Sequence, residues 1–154
     1  MRPNLSEVFG GTLCLAKAGL AEGTTAAKFK ILTPDAEGVH YCIDGIMYHK
    51  ADTDDLSMTD LTVQAANTSC LYAIGLDSGG NAASVKGTEV LNTDLTAGNA
   101  VLEYPVMSSS YCVIGYIKVS TTAAFTPNTT DLGAGAVTDT YYDVMCPPAR
   151  PRTS

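Results

Sequence analysis

Two histidines are the side chains best suited to chemistry in this 154-residue chain, and both lie in one short segment. His40 and His49 flank Asp44-Gly45, with Cys42 and Met47 between them. Asp-Gly between runs of β-branched and aromatic residues is the strongest short-range signal for a two-residue type I′ hairpin. Such a turn pairs Ile43 with Ile46, Cys42 with Met47, Tyr41 with Tyr48, His40 with His49 and Val39 with Lys50. Opposed imidazoles with a nearby thiol could together bind Zn²⁺ or Cu²⁺. A usable site also needs a third ligand at the right geometry, so the pair reads as solvated or contact imidazoles on the outer side of a hairpin. Val39, Tyr41, Ile43, Ile46 and Tyr48 share the opposite face, which reads as the core face.

Other candidate chemistry is thin. Residues 51–60 carry Asp52, Asp54, Asp55 and Asp60, yet the central Gly and terminal Glu of an EF-hand are missing. These acids read as turn and cap formers. Gly79-Gly80 lacks the Lys-Ser/Thr ending and following helix of a phosphate loop. No Gly-x-Ser-x-Gly elbow occurs, and no spacing singles out a Ser/His/Asp triad. The five glutamates (Glu7, Glu22, Glu37, Glu89, Glu103) form no glycosidase-like pair with an Asp. Eight tyrosines in a chain without Trp could stack sugars, but read better as core and subunit contacts. Five cysteines show no metal-ligand spacing; Cys42, Cys70 and Cys112 sit in apolar runs as small buried hydrophobes. Reduced thiols imply folding in a cytoplasm. The expectation is therefore a protein that is not an enzyme and holds no metal or cofactor.

The elements that position these residues read as short strands. Charged residues are only 16% of the chain, and Ala, Thr, Gly and Ser dominate, which suits strands and turns better than long helices. A formal net charge of −7 argues against nucleic-acid and anionic-membrane partners. The start lacks the basic and apolar regions of a signal peptide, and no run approaches the length needed to span a membrane.

Residues 1–27, interrupted by Gly10-Gly11, Gly19 and Gly23, read as an extended arm whose Phe9, Leu13, Leu15 and Leu20 dock on a partner. A strand at 28–32 precedes the hairpin, and 61–63 reads as a short strand. Residues 69–77 form a stronger one, with Cys70, Tyr72, Ile74 and Leu76 on one face and a smooth Leu71, Ala73, Gly75 face opposite. A turn at 77–81 leads into 82–86, completing a second hairpin, and 88–98 reads as a connection. Residues 100–106 read as a strand that Pro105 pushes to a sheet edge or end. Residues 111–119 have the apolar character of a central strand, with Gly115 marking a bulge or close approach. The long irregular stretch 120–136 needs anchors, Phe125 and Leu132, and 137–145 is the last strand. The prolines after Cys146 make a polyproline-type tail. The sum is an all-β chain: an antiparallel β-sandwich of jelly-roll or Greek-key kind over 28–146, with an arm at 1–27 and a tail at 147–154. A partly closed barrel fits the same pattern.

These stretches, in order, resemble a known group. Tyr41-Cys42-Ile43-Asp44-Gly45-Ile46-Met47-Tyr48-His49-Lys50-Ala51 is similar to the Y-x-I-D-G-x-x-Y-x-K-A stretch of small tailed-phage virion proteins. Cys70-Leu71-Tyr72 leading to Leu76-Asp77-x-x-Gly80-Asn81 follows, then Val113-Ile114-Gly115-Tyr116-Ile117-Lys118-Val119. Phe125-Thr126-Pro127-Asn128-Thr129-Thr130-Asp131-Leu132 and Val137-Thr138-x-Thr140-Tyr141-Tyr142-Asp143 complete the set, which spans residues 28–145. Where such proteins often have Gly after the loop proline, this chain has Asn128, which can also adopt a left-handed turn. The resemblance implies a bacteriophage head decoration, or cement, protein on the capsid exterior. Its implied partners are the major capsid protein and further copies of itself, commonly as a homotrimer at threefold positions. It offers no catalytic residue to carry over. The candidate capsid or subunit contacts are Phe9, Leu13, Leu15, Leu20, Phe125 and Leu132. The competing readings are a phage fibre module that binds a receptor or glycan, and a small metal-dependent enzyme.

Overall fold

A computed structural model describes residues 11–145. Among them the chain runs β1 (Leu13–Cys14), β2 (Leu20–Glu22), β3 (Phe29–Ile31), β4 (Val39–Ile43), β5 (Ile46–Lys50) and β6 (Thr53–Leu56). It continues with β7 (Thr68–Leu76), β8 (Ala82–Lys86), β9 (Val90–Leu91), α1 (Asn92–Ala97), β10 (Cys112–Thr121) and β11 (Val137–Asp143). Every strand pairing is antiparallel. Three sheets result, ordered β1-β4-β5, β2-β3-β6 and β11-β10-β7-β8, with β9 also on β7.

The β4–β5 hairpin has the register its sequence requires, from Ile43 opposite Ile46 to Val39 opposite Lys50. Asp44 at φ 50° and Gly45 at φ 80° supply the two positive angles of a type I′ turn. Val39, Tyr41 and Ile43 are buried as expected, but Ile46 is exposed. It sits at the tip on β5, the edge strand of its sheet, where nothing covers it.

β7 is the centre of the molecule, and all nine of its residues are buried. Cys70, Tyr72, Ile74 and Leu76 enter a core shared with Phe29 and Ile31 of β3, Tyr41 of β4, and Ile117 and Val119 of β10. Their partners on β8 and β10 follow from alternation along the ladders. In β10 the register shifts between Val113 and Gly115, the bulge that the glycine marks. A Cβ on Gly115 would lie 2.4 Å from Leu20 Cδ1 and 2.5 Å from the Tyr142 carbonyl oxygen, so only glycine admits both neighbours.

The smooth far face of β7 is covered, and what covers it corrects the reading of 100–106 as a strand. Residues 101–107 are irregular backbone lying across that face. A Cβ on Gly75 would come within 2.7 Å of Met107 Sδ, and one on Gly87 within 3.4 Å of the Glu103 carbonyl and Pro105 Cδ. A segment crossing the top of a sheet has no ladder to join, so its alternating Leu102, Tyr104 and Val106 do not make it a strand. Residues 61–63 also form no strand; Leu61 and Val63 face solvent.

The arm expected at 1–27 is corrected over its described part. Leu13 pairs with Cys42 and Cys14 with Tyr41, while β2 pairs with β3. The Gly45 N–H donates to the Gly11 carbonyl and the Leu15 N–H to the His40 carbonyl. Cys14, Ala18 and Leu20 are core residues. The domain therefore extends N-terminally of residue 28 at least to β1. Gly19, at φ +60°, makes the close turn: a Cβ there would lie 1.9 Å from the Leu32 carbonyl oxygen. Strands of two and three residues are too short to show a period. The tail at 147–154 and Phe9 lie outside the described residues.

Candidate functional site

The histidines stand together as the hairpin places them, with ring centroids 4.6 Å apart and planes tilted by 42°. His49 Nε2 lies 2.6 Å from the Glu37 carbonyl oxygen. A carbonyl accepts only, so that nitrogen carries the proton and is committed as a donor. Among the described residues no group of three or more His, Cys, Asp or Glu is placed to hold a metal ion. Beside His40 opens a groove of about 370 Å³, lined among others by Leu15, Lys17, Thr33, Glu37 and Met145. Its Thr33 hydroxyl is engaged, donating to Asp52 and accepting the Gly38 N–H.

The acidic stretch around β6 ties neighbouring turns. Asp54 accepts the Thr24 N–H and hydroxyl, and Asp55 does the same for Thr25. Asp52 accepts the Thr33 N–H at 2.9 Å, and Asp60 those of Thr62 and Lys86 at 3.0 and 2.9 Å. Hydrogen bonds from Thr24 hold the Asp54 carboxyl below its ordinary range. Burial pushes Asp60 up, but the bonds from Lys86 and Thr62 outweigh it and leave the group lowered. In the β7–β8 turn, Asp77 is lowered by bonds from the Asn81 side chain and backbone.

A residue without any sequence signal joins the two halves of the core. Gln64 is fully buried, and its Nε2 donates to the Thr68 and Val119 carbonyls, each at 3.1 Å. Its Oε1 accepts the Cys70 thiol at 3.1 Å and, more weakly, the Tyr72 hydroxyl at 3.4 Å. Its backbone exchanges both hydrogen bonds with Phe125. A lone glutamine has no periodicity to reveal it. Burial pushes the Cys70 thiol up to about 12, so it is inert at neutral pH. The Cys14 thiol behaves oppositely, held below its ordinary value by a hydrogen bond with Cys112 against the effect of burial.

The six candidate contact residues divide. Phe125 and Leu132 are buried, which suits them as anchors of the 120–136 loop but removes them as contacts with another molecule. Asn128 helps to hold that loop, with φ 61° and both side-chain groups bonded to the Met58 backbone at 2.8 Å. Leu20 is buried too, at 6% exposure. Leu13 is half-buried in β1, and Leu15 presents surface at the groove. The sequence reading missed a group of exposed apolar side chains on and beside the outer side of the large sheet. Val101, Tyr104, Val106 and Tyr142 are 75%, 67%, 88% and 46% exposed. Tyr104 meets Tyr116 edge-on at 4.8 Å, and Tyr116 opposes Tyr142 across the β10–β11 ladder. The three rings thus form one row.

Among the described residues no helix is long and apolar enough to cross a membrane. Comparison with protein-family models, with curated proteins and with solved structures finds no match for the chain.

Proposed function

We propose that the protein is a bacteriophage head decoration protein, which binds the outside of the capsid lattice and stabilises it by bridging major capsid protein subunits. In this reading the three sheets make a β-sandwich, and the chain acts as a homotrimer on the virion exterior after folding in the host cytoplasm. One observation carries the reading. The stretches that resemble tailed-phage virion proteins fall on the frame of the fold: the type I′ turn, the Asp77–Asn81 turn, β10, and the loop tied by Phe125 and Asn128. A resemblance carried by turns, a central strand and a tied loop supports an architectural role, with adhesion left to broad surfaces. An assembly of copies presents several weak contacts at once, and linked contacts raise avidity by orders of magnitude.

The N-terminal contact in this reading uses Phe9, Leu13 and Leu15. Removing residues 1–10 deletes no residue of a described strand. The test mixes full-length protein and this shorter form separately with undecorated heads and counts bound copies after sedimentation. Saturable binding of the full-length form, weakened by the deletion, is expected; no binding by either form contradicts the proposal. The second reading, a glycan-binding module of a fibre, draws on the exposed Tyr104 and Tyr142. Binding to host glycans with no affinity for heads would favour it.

A further inference from the structure

We infer that the outer face of the large sheet, centred on the Tyr104–Tyr116–Tyr142 row, is where one copy of this chain meets another. The inference rests on the reading that the chain works as an assembly of copies, and it assigns the surface through which they associate.

The register decides which residues share this face. β11 places Thr138, Thr140 and Tyr142 there, opposite Ser120, Lys118 and Tyr116 of β10. β7 and β8 put no charge on it, Ala73 opposite Val85 and Gly75 opposite Ala83 among their residues, and those of β7 are buried beneath residues 101–107. Lys118 is the one charge that these four strands put on the face. Residues 101–107, lying across it, contribute one more, Glu103. Counted over these strands and residues 101–107 the charges balance, on a chain whose net charge is −7. Two copies repel wherever their acidic surfaces approach, and least where this face meets its like. It also carries one charge of each sign, so Lys118 of one copy and Glu103 of the next are complementary.

Area points the same way. With a tyrosine side chain near 200 Å², the fractional exposures of Val101, Tyr104, Val106 and Tyr142 leave roughly 500 Å² of mostly apolar surface on this side. That is at the upper end of what monomers carry, and over half of the ~800 Å² per partner that a standard interface buries. The half-exposed Tyr116 and Val113 extend it. Tyrosine-rich, charge-poor centres are what interface cores select.

The experiment is sedimentation equilibrium of the full chain without heads, from about 1 to 100 µM, the range in which interfaces of modest size associate. Val106→Asp and Tyr142→Asp change exposed side chains, and Met47→Asp is a control on the exposed hairpin face. Wild type and the Met47 variant are expected to sediment as an oligomer. Each face variant should shift at least tenfold towards the single-chain mass, with its melting temperature retained. A monomer across the range overturns the inference, as does an oligomer that the face substitutions leave intact. A face occupied by the capsid instead would show as monomers whose head binding the same substitutions abolish, which also overturns it. Head binding is read separately: oligomers that ignore heads would remove the decoration reading and keep this interface.

Discussion

Replacing Leu20 with alanine asks whether the chain's first strands belong to the fold. Leu20 opposes Ile31 in the β2–β3 ladder, and its N–H is accepted by Asp143 Oδ1 at 3.0 Å. Its side chain lies against Gly115 of the β10 bulge, in space that a Cβ would contest at 2.4 Å. Truncation keeps the backbone bonds but leaves a void beside a residue with no side chain to fill it. Leu→Ala substitutions cost about 2–5 kcal/mol, more where the site collapses poorly, so about 3 kcal/mol is expected. For a domain of this size that lowers Tm by about 6–12 °C. Urea unfolding should show the midpoint falling with an unchanged slope, since the loss is of stability and not of compactness. A loss below about 0.5 kcal/mol, the range of ordinary surface substitutions, would refute the placement of Leu20 in the core and return this segment to a detached arm.

Three further outcomes follow from the geometry. Gly45→Val places a β-branched residue at φ 80° and should destabilise by about 1–3 kcal/mol in a thermal melt; an unchanged midpoint would remove the turn from the account. Gln64→Leu strands the Thr68 and Val119 carbonyls and the Cys70 and Tyr72 donors, at a cost of about 2–4 kcal/mol by urea midpoint; a neutral result would show that the amide contributes nothing net. Asp54, Asp60 and Asp77 have folded values below the ordinary 3.8, so they bind protons less readily folded than unfolded. Their stabilisation is fully present at neutral pH and is lost as pH falls below about 4 through the folded values; a Tm flat from pH 7 to pH 3 would contradict this.

The hairpin was legible because Asp-Gly and a strict alternation fix both turn and register, and β7 because a run of nine residues offers a clear pattern with a turn after it. Phe125 and Leu132 were legible as loop anchors, and the same hydrophobicity drew them wrongly into the contact set. β1 and β2 were hidden because two or three residues carry no period, and their glycines imitate a flexible leader. Residues 101–107 alternate like a strand but lie on a sheet face, a distinction only tertiary packing makes. The six-residue α1, rich in Asn and Thr, has too little propensity to stand out from a connection. The exposed tyrosine row depends on the registers of separate strands and on the segment above them. No local window contains it.

Adhesion to a phage head is the central claim, and copy number in the particle tests it most directly. Quantitative mass spectrometry of virus particles purified from the source of this chain, scaled to the major capsid protein, gives that number. Hundreds of copies per particle, lost together when heads are stripped of surface proteins, are what the account predicts. A handful of copies would assign the chain to a fibre, and its absence from the particle would contradict the account outright.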